Sequence, residues 1–267
     1  MISMNDEESK VHAKVLLEAA GYSVTSILQS EVQGQKRADL KATLNQEILI
    51  VEAKGKAPHQ GYFDLREMAR TQGHGSCARE VAAWNALSSI AEKANRQLEE
   101  TPAPETSVRI LWISCLHEDW EFVFDAFQHR LYGDVEVSLF PKAEPLPQTI
   151  ETRRCFYYEA ADFCRYRSID AAVLAGPNGA KVLVNEFGFR VQQLRTTKLY
   201  TGMMAKNALS DPETLRQSGK ALAILGPIPN DQKAKWKYLL ETYELKTSVL
   251  HSYHWEALIT LQLNQSL

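Results

Sequence analysis

Cysteine is scarce and unpatterned: four residues in 267, Cys77, Cys115, Cys155 and Cys164, no two of them separated by two residues. That spacing argues against a zinc ribbon and gives no support to a disulfide framework, so reduced, partly buried thiols are expected. Long apolar runs are also missing. No stretch approaches the roughly 20 apolar residues that span a bilayer, and no membrane partner is expected. The opening residues, Met1 to Glu8, carry neither a basic end nor an apolar run, which leads to an expected cytoplasmic location. Neither sign of charge dominates: 30 Lys and Arg stand against 33 Asp and Glu, a formal net charge of -3. A polyanionic partner would therefore have to be met by a local basic patch and not by a global field. Clear repeats and low-complexity segments are absent. What is there, 45% hydrophobic and 24% charged residues, suits a folded chain of one large domain or two small ones.

Apolar periodicity and turn residues predict the order of elements. A helix is expected from Asp6 to about Ala20, with Val11, Val15, Leu16 and Ala19 at helical spacing and Gly21 as the stop. On that wheel Glu8 and His12 fall on the apolar stripe, while Glu7, Lys10, Lys14 and Glu18 lie toward solvent. Strands are expected at 22–30, 37–44 and 47–55, the last two joined through Asn45 and Gln46. A glycine-bearing loop with a short helical piece follows, then a long helix from Cys77 to about Glu99, an apolar strand at 108–116 and an amphipathic helix at 117–131. This order predicts an α/β protein, a mixed sheet flanked by helices. The proline-bearing segment 142–148 marks an expected boundary between a domain at 1–140 and an accessory α/β region at 149–267. In that region a hairpin is expected around Gly176 to Gly179, a strand at 221–228, and a helix capped by Asn230 or Asp231.

The first hairpin gathers charge. With a symmetric turn at Asn45 and Gln46, paired positions sum to 91, so Asp39 lies across from Glu52 and Arg37 across from Lys54. Opposed side chains sit roughly 5 Å apart, and residues two apart share a face, so four charges would cluster on one face. The other face would carry Leu40, Ala42, Leu44, Leu49, Val51 and Ala53. Two facing carboxylates repel unless a cation lies between or beside them, and hard oxygen ligands at that separation suit magnesium. A lysine one pleat further on completes the parts of metal-assisted phosphodiester hydrolysis. The same four charges would also make a solvated salt-bridge ladder, worth about 0–1 kcal/mol per pair. Ile48-Leu49-Ile50-Val51, apolar on both faces as in a buried central strand, argues against that ladder.

Asp39, then Glu52-Ala53-Lys54 at the end of an apolar strand, preceded by a helix bearing Glu8, resembles the PD-(D/E)XK nuclease superfamily over residues of about 5–116. The proline of that name is Ala38 in this sequence. The resemblance implies a restriction endonuclease-like core and a nuclease, an endonuclease more than an exonuclease. It implies magnesium, with manganese as a substitute, held by Asp39, Glu52 and the carbonyl of Ala53. Lys54 would assist the attacking water, and Glu8 would be the helix carboxylate. Arg37, Gln72 and His74 are candidate substrate contacts. The implied partner is nucleic acid, with DNA favoured, and cutting both strands of a duplex would call for two active sites, as in a homodimer. The main rival is a non-catalytic nucleic-acid- or protein-binding module of the same fold, with structural carboxylates. In the second half Asp162, Arg165, Arg167 and Arg190 suggest a binding surface, with Tyr157, Tyr158 and Tyr166 offering stacking faces.

Overall fold

Asn45, with φ at +53°, turns the chain between two strands whose pairing sets the register of the whole sheet. A computed structural model describes residues 6–29, 36–56, 67–68, 71–72, 74–80, 84–117, 120–141, 151–226, 231–251 and 256–262. Helix α1 (Asp6–Ala19) leads through Gly21 into β1 (Ser23–Ser26), and the hairpin is β2 (Leu40–Leu44) and β3 (Glu47–Gly55). Leu40 pairs with Val51 and Leu44 with Glu47, the expected sum of 91 in each case. Next come β4 (His74–Glu80), α2 (Trp84–Glu100), β5 (Val108–Ser114), α3 (Trp120–Tyr132) and β6 (Val135–Pro141). The remaining elements are β7 (Glu151–Phe156), α4 (Asp162–Arg165), β8 (Ala171–Gly176), β9 (Gly179–Val184), α5 (Val191–Thr196), α6 (Lys198–Ala205) and β10 (Leu209–Ser210). Helix α7 (Pro212–Gln217), β11 (Ala221–Ala223), α8 (Gln232–Thr242), β12 (Leu245–His251) and β13 (Glu256–Gln262) complete the described chain.

The fold is α/β. A mixed seven-stranded sheet runs β1-β2-β3-β5-β8-β9-β10, and a second sheet runs β11-β7-β6-β12. In the large sheet β3, β5 and β8 are parallel neighbours, buried on both faces as parallel strands usually are. One face, with Leu40, Ala42, Leu49, Val51 and Ala53, packs under α1 through Ala13 and Leu17. The other, with Ile50, Leu111 and Ile113, lies against α2 through Leu87, Ala91, Ala94 and Leu98 and against α3 through Phe127 and Leu131. Both sheets take strands from either side of residues 142–148, so the division expected there does not separate them.

Two expectations change. Cys77–Glu80 lies in β4, which pairs antiparallel with β13, and not in the long helix, which begins at Trp84. Gly75 and Ser76 are poor helix formers, and the β-prone segment Ala257–Leu261 supplies a strand partner that no local pattern reveals. The predicted apolar stripe of α1 is also turned outward: Val11 and Val15 are 63% and 55% exposed, and the buried line is Ser9, Ala13 and Leu17. Ala13 and Leu17 join the core under the sheet, with Leu16 packed against it, and the two valines are left outside.

The second hairpin behaves as expected, with Ala171 opposite Val184 and Gly176 opposite Gly179, each pair summing to 355. Its polar pair is structural. Asp170 accepts from the backbone N–H groups of Arg109 and Arg190, both at 2.8 Å, and Asn185 donates to the Ile169 carbonyl at 2.7 Å. A side chain at Gly188 would place Cβ 2.9 Å from the Asp170 Cα.

His129, on α3, joins this scaffold to β6. Its Nδ1 is 3.1 Å from Asp134 Oδ1 and its Nε2 3.3 Å from Glu159 Oε2. Burial alone would lower its pKa, but the hydrogen bonds and charges of Asp134 and Glu159 raise it to about 9. Since the folded value exceeds the ordinary 6.5, the stabilisation is complete below about pH 6.5 and is lost as pH rises through about 9. Urea unfolding at pH 6 and pH 10 should show the parent losing about 2–3 kcal/mol more than His129→Ala over that range. Equal losses would show that the imidazolium contributes nothing.

Candidate active site

The hairpin strands part at Asp39, and the divergence builds the site. The Asp39 N–H still donates to the Val51 carbonyl (3.0 Å), but beyond it the Ala38 N–H turns to Thr101 Oγ1 on the far end of α2 (2.7 Å). Where the next ladder bond would fall, the carboxylate of Asp39 takes over, its Oδ2 accepting from the Ala53 N–H at 2.9 Å. This links the expected metal ligands Asp39 and Ala53 directly. Asp39 Oδ1 lies 3.0 Å from Nζ of Lys10.

Glu52 is fully buried, and its Oε1 lies 2.6 Å from Lys54 Nζ. The contact is ionic and poorly directed: neither Glu52 oxygen receives a well-aligned hydrogen bond among the described residues. Burial, then the charge of Asp39, pushes the Glu52 carboxyl up to about 8, against the pull of Lys54. Burial would lower Lys54, but Glu52, Asp6 and Asp39 together raise it, so its ammonium stays charged. The structure therefore brings together Asp39, Glu52, Ala53 and Lys54 as the hairpin register predicts.

Two residues outside the expected site belong to it. Asp6, at the start of α1, accepts from the Gly55 N–H at 3.1 Å and lies 3.4 Å from Lys54 Nζ. Lys10, placed toward solvent by the helical wheel, is the cation on Asp39. Both follow from the true inward face of α1: a wheel centred on Ser9, Ala13 and Leu17 puts Asp6 on it and Lys10 at its edge, and turns Glu8 away from it. Glu8 is half-buried. Arg37 does not face Lys54; past the divergence its Nη1 donates to the Leu28 carbonyl at 3.4 Å. Gln72 is exposed, and the side chain of His74 lies outside the described residues. Among the described residues, no three His, Cys, Asp or Glu side chains form a group that could hold a metal ion.

The site opens onto a cavity of about 510 Å³ between α1, the end of β3 and α2. Lys36, Lys54, Lys93 and Arg96 line it against the carboxylates of Asp6 and Glu100. Lys93 and Arg96 are three residues apart and so share a helix face. This is the local basic patch that a near-neutral chain would need to meet a polyanion. No protein-family model matches the chain, and comparisons with curated proteins and with solved structures return no match. Among the described residues no helix is long and apolar enough to cross a membrane.

Two of the three expected stacking faces are not available, Tyr157 and Tyr158 being buried at 3% and 5% exposure, while Tyr166 is partly exposed. Asp162 is also committed, accepting from Arg130 Nε and Ser88 Oγ, both at 3.0 Å.

The raised Glu52 carboxyl makes a stability prediction. An acid whose folded pKa exceeds its ordinary 4.5 favours the folded state most at low pH, and stability falls as pH rises from about 4.5 through about 8. In chelator, Glu52→Gln should flatten that fall and melt higher than the parent at pH 8.5, by about 1–3 kcal/mol. Lys54 keeps Asp6 as a partner in the variant. A lower melt at pH 8.5 would show that the Lys54 pair outweighs the burial of Glu52.

Proposed function

We propose that the protein is a metal-dependent nuclease that hydrolyses nucleic-acid phosphodiester bonds, with DNA the favoured substrate and internal cutting the favoured mode. The observation that carries this reading is Glu52, a fully buried carboxylate without a directed hydrogen bond among the described residues, beside Asp39 and 2.6 Å from Lys54. A buried carboxylate that one lysine offsets and that accepts no directed hydrogen bond is still costly, and a divalent cation would coordinate its oxygens.

Asp39 and Glu52, with the Ala53 carbonyl, would hold magnesium or manganese. When bound, the metal supplies polarisation of a phosphoryl oxygen and a more acidic water. The chain's own groups do the rest. Lys54, charged and held between Glu52 and Asp6, sits where it can orient a water and stabilise negative charge developing at the scissile phosphate. Asp6 fixes the end of β3 through the Gly55 N–H, so Lys54 is presented from a constrained backbone. Lys36, Lys93 and Arg96 meet neighbouring phosphates of the strand and place it in the cavity. Two such sites in a homodimer would cut both strands of a duplex.

One observation favours a second reading. Lys10 on Asp39 and Lys54 on Glu52 balance both carboxylates without a metal, as a non-catalytic binding module would require. Plasmid, linear duplex and single-stranded DNA, incubated with magnesium, manganese or chelator, separate the two. The nuclease reading expects cleavage that needs metal, and calorimetric metal binding that Asp39→Asn weakens. No cleavage and no metal binding would leave the binding module.

A further inference from the structure

A second cavity, of about 640 Å³, lies at the carboxyl ends of β7 and β11, and none of Asp39, Glu52 and Lys54 lines it. The two strands are parallel neighbours, Arg154–Phe156 beside Ala221–Ala223. The volume is within the roughly 300–1,000 Å³ of small-molecule sites.

The lining is charged in one sense. Arg165, Arg167 and Lys235 stand against a single carboxylate, Glu159, and His129 Nε2 already lies 3.3 Å from that carboxylate. Two of the cations are held in place. Lys235 is 8% exposed and its Nζ donates to the Tyr158 carbonyl at 2.7 Å. Arg167 Nε donates to the Phe187 carbonyl at 3.0 Å, and its guanidinium lies 5.0 Å from the centre of the Phe189 ring. Ordered cations lose less freedom on binding an anion, and the guanidinium fork matches phosphate geometry. Beside them lie Phe187 and Ile224, the Phe187 ring fixed edge-on against Tyr157 with centroids 4.8 Å apart.

The wall is built with strain. Tyr157, buried and not glycine, has φ at +64°. Its N–H donates to the Tyr132 carbonyl at 2.9 Å and the Glu159 N–H to the Gly133 carbonyl at 2.8 Å, so the loop after β7 is held against α3. At Gly133 a side chain would bring Cβ within 2.6 Å of the Glu159 carbonyl oxygen. Backbone strain that the surroundings enforce collects at ligand clamps.

We propose that this cavity binds a nucleoside monophosphate, its phosphate facing Arg165, Arg167 and Lys235 and its base lying against Phe187 and Ile224. Three cations around one engaged carboxylate suit a dianionic phosphate, and the adjoining ring and aliphatic surface suit a flat base. This site does not depend on the nuclease reading.

Isothermal calorimetry on the full chain at low salt, with each of the four ribonucleoside 5′-monophosphates, their nucleosides and inorganic phosphate, tests it. At least one monophosphate should bind at least tenfold tighter than its nucleoside and than inorganic phosphate. Arg165→Glu, at an exposed position, should weaken it at least tenfold, and Lys235→Gln should do likewise. Asp39→Asn should leave it unchanged. Absence of binding by all four nucleotides, or binding that Arg165→Glu leaves intact, would overturn the proposal. So would phosphate binding as tightly as the nucleotide, which would leave no role for the ring, and so would loss of binding in Asp39→Asn, which would move the phosphate to the first site.

Discussion

On the proposed nuclease reading, replacing Lys54 with alanine is expected to lower metal-dependent cleavage by about 10²–10³-fold while the protein stays folded, the size of effect seen when one preorganised donor to a developing charge is removed. The ammonium lies 2.6 Å from Glu52 and 3.4 Å from Asp6 at the end of β3, and its side chain is 18% exposed. Its removal takes away a charge that faces the cavity and leaves the sheet core untouched. The stability effect should depend on pH, because the loss leaves Glu52 without its cation. At pH 6 the carboxyl, already raised by burial, takes a proton, and the melt should stay within about 1 kcal/mol of the parent. At pH 9, where the parent carboxyl is ionised, the variant should lose about 3 kcal/mol. Plasmid cleavage assays and thermal melts at both values check the two parts separately. Unchanged cleavage would remove the lysine from the chemistry even if the melt behaves as expected.

Truncating Tyr132 to alanine should cost about 3–5 kcal/mol, the range for a large ring removed from a close-packed core. Tyr132 ends α3 and is fully buried where the two sheets meet. Its hydroxyl donates to the Ser210 carbonyl in β10 of the large sheet at 2.7 Å, and its ring meets Phe156 in β7 of the second sheet at 4.8 Å between centroids. Phe163, at 5.3 Å, closes the cluster from α4. Tyr132→Phe keeps the ring and leaves the Ser210 carbonyl without that donor, so it should cost about 1–2 kcal/mol. Urea unfolding followed by both fluorescence and circular dichroism should give one coincident transition for the parent and for both variants, since the ring ties the sheets together. A loss below about 1 kcal/mol in the alanine variant, or two separate transitions in the parent, would mean that the halves unfold independently.

The parts of this molecule legible in its sequence are those set by short-range physics. Asn45 accepts the left-handed turn that brings Leu40 opposite Val51, and that register alone places Asp39 by Glu52 with Lys54 one pleat on. The bounds of α1, the pairing of β8 with β9 and the Asp231 cap, whose carboxylate accepts from Lys233 and Ala234, follow from the same local rules.

What only the tertiary structure decided is how those pieces face one another. The helical wheel of α1 contains two candidate stripes, and only packing on the sheet chose Ser9, Ala13 and Leu17 over Val11 and Val15, which turned Asp6 and Lys10 toward Asp39 and Lys54. Strand β4 exists through a partner about 180 residues away, and the basic cavity exists because α2 sets Lys93 and Arg96 beside Lys36 and Lys54. Periodicity and turn chemistry act over a few residues, whereas the choice of buried face and the pairing of distant strands depend on which surfaces exclude the most water together, and a one-dimensional pattern carries no record of that.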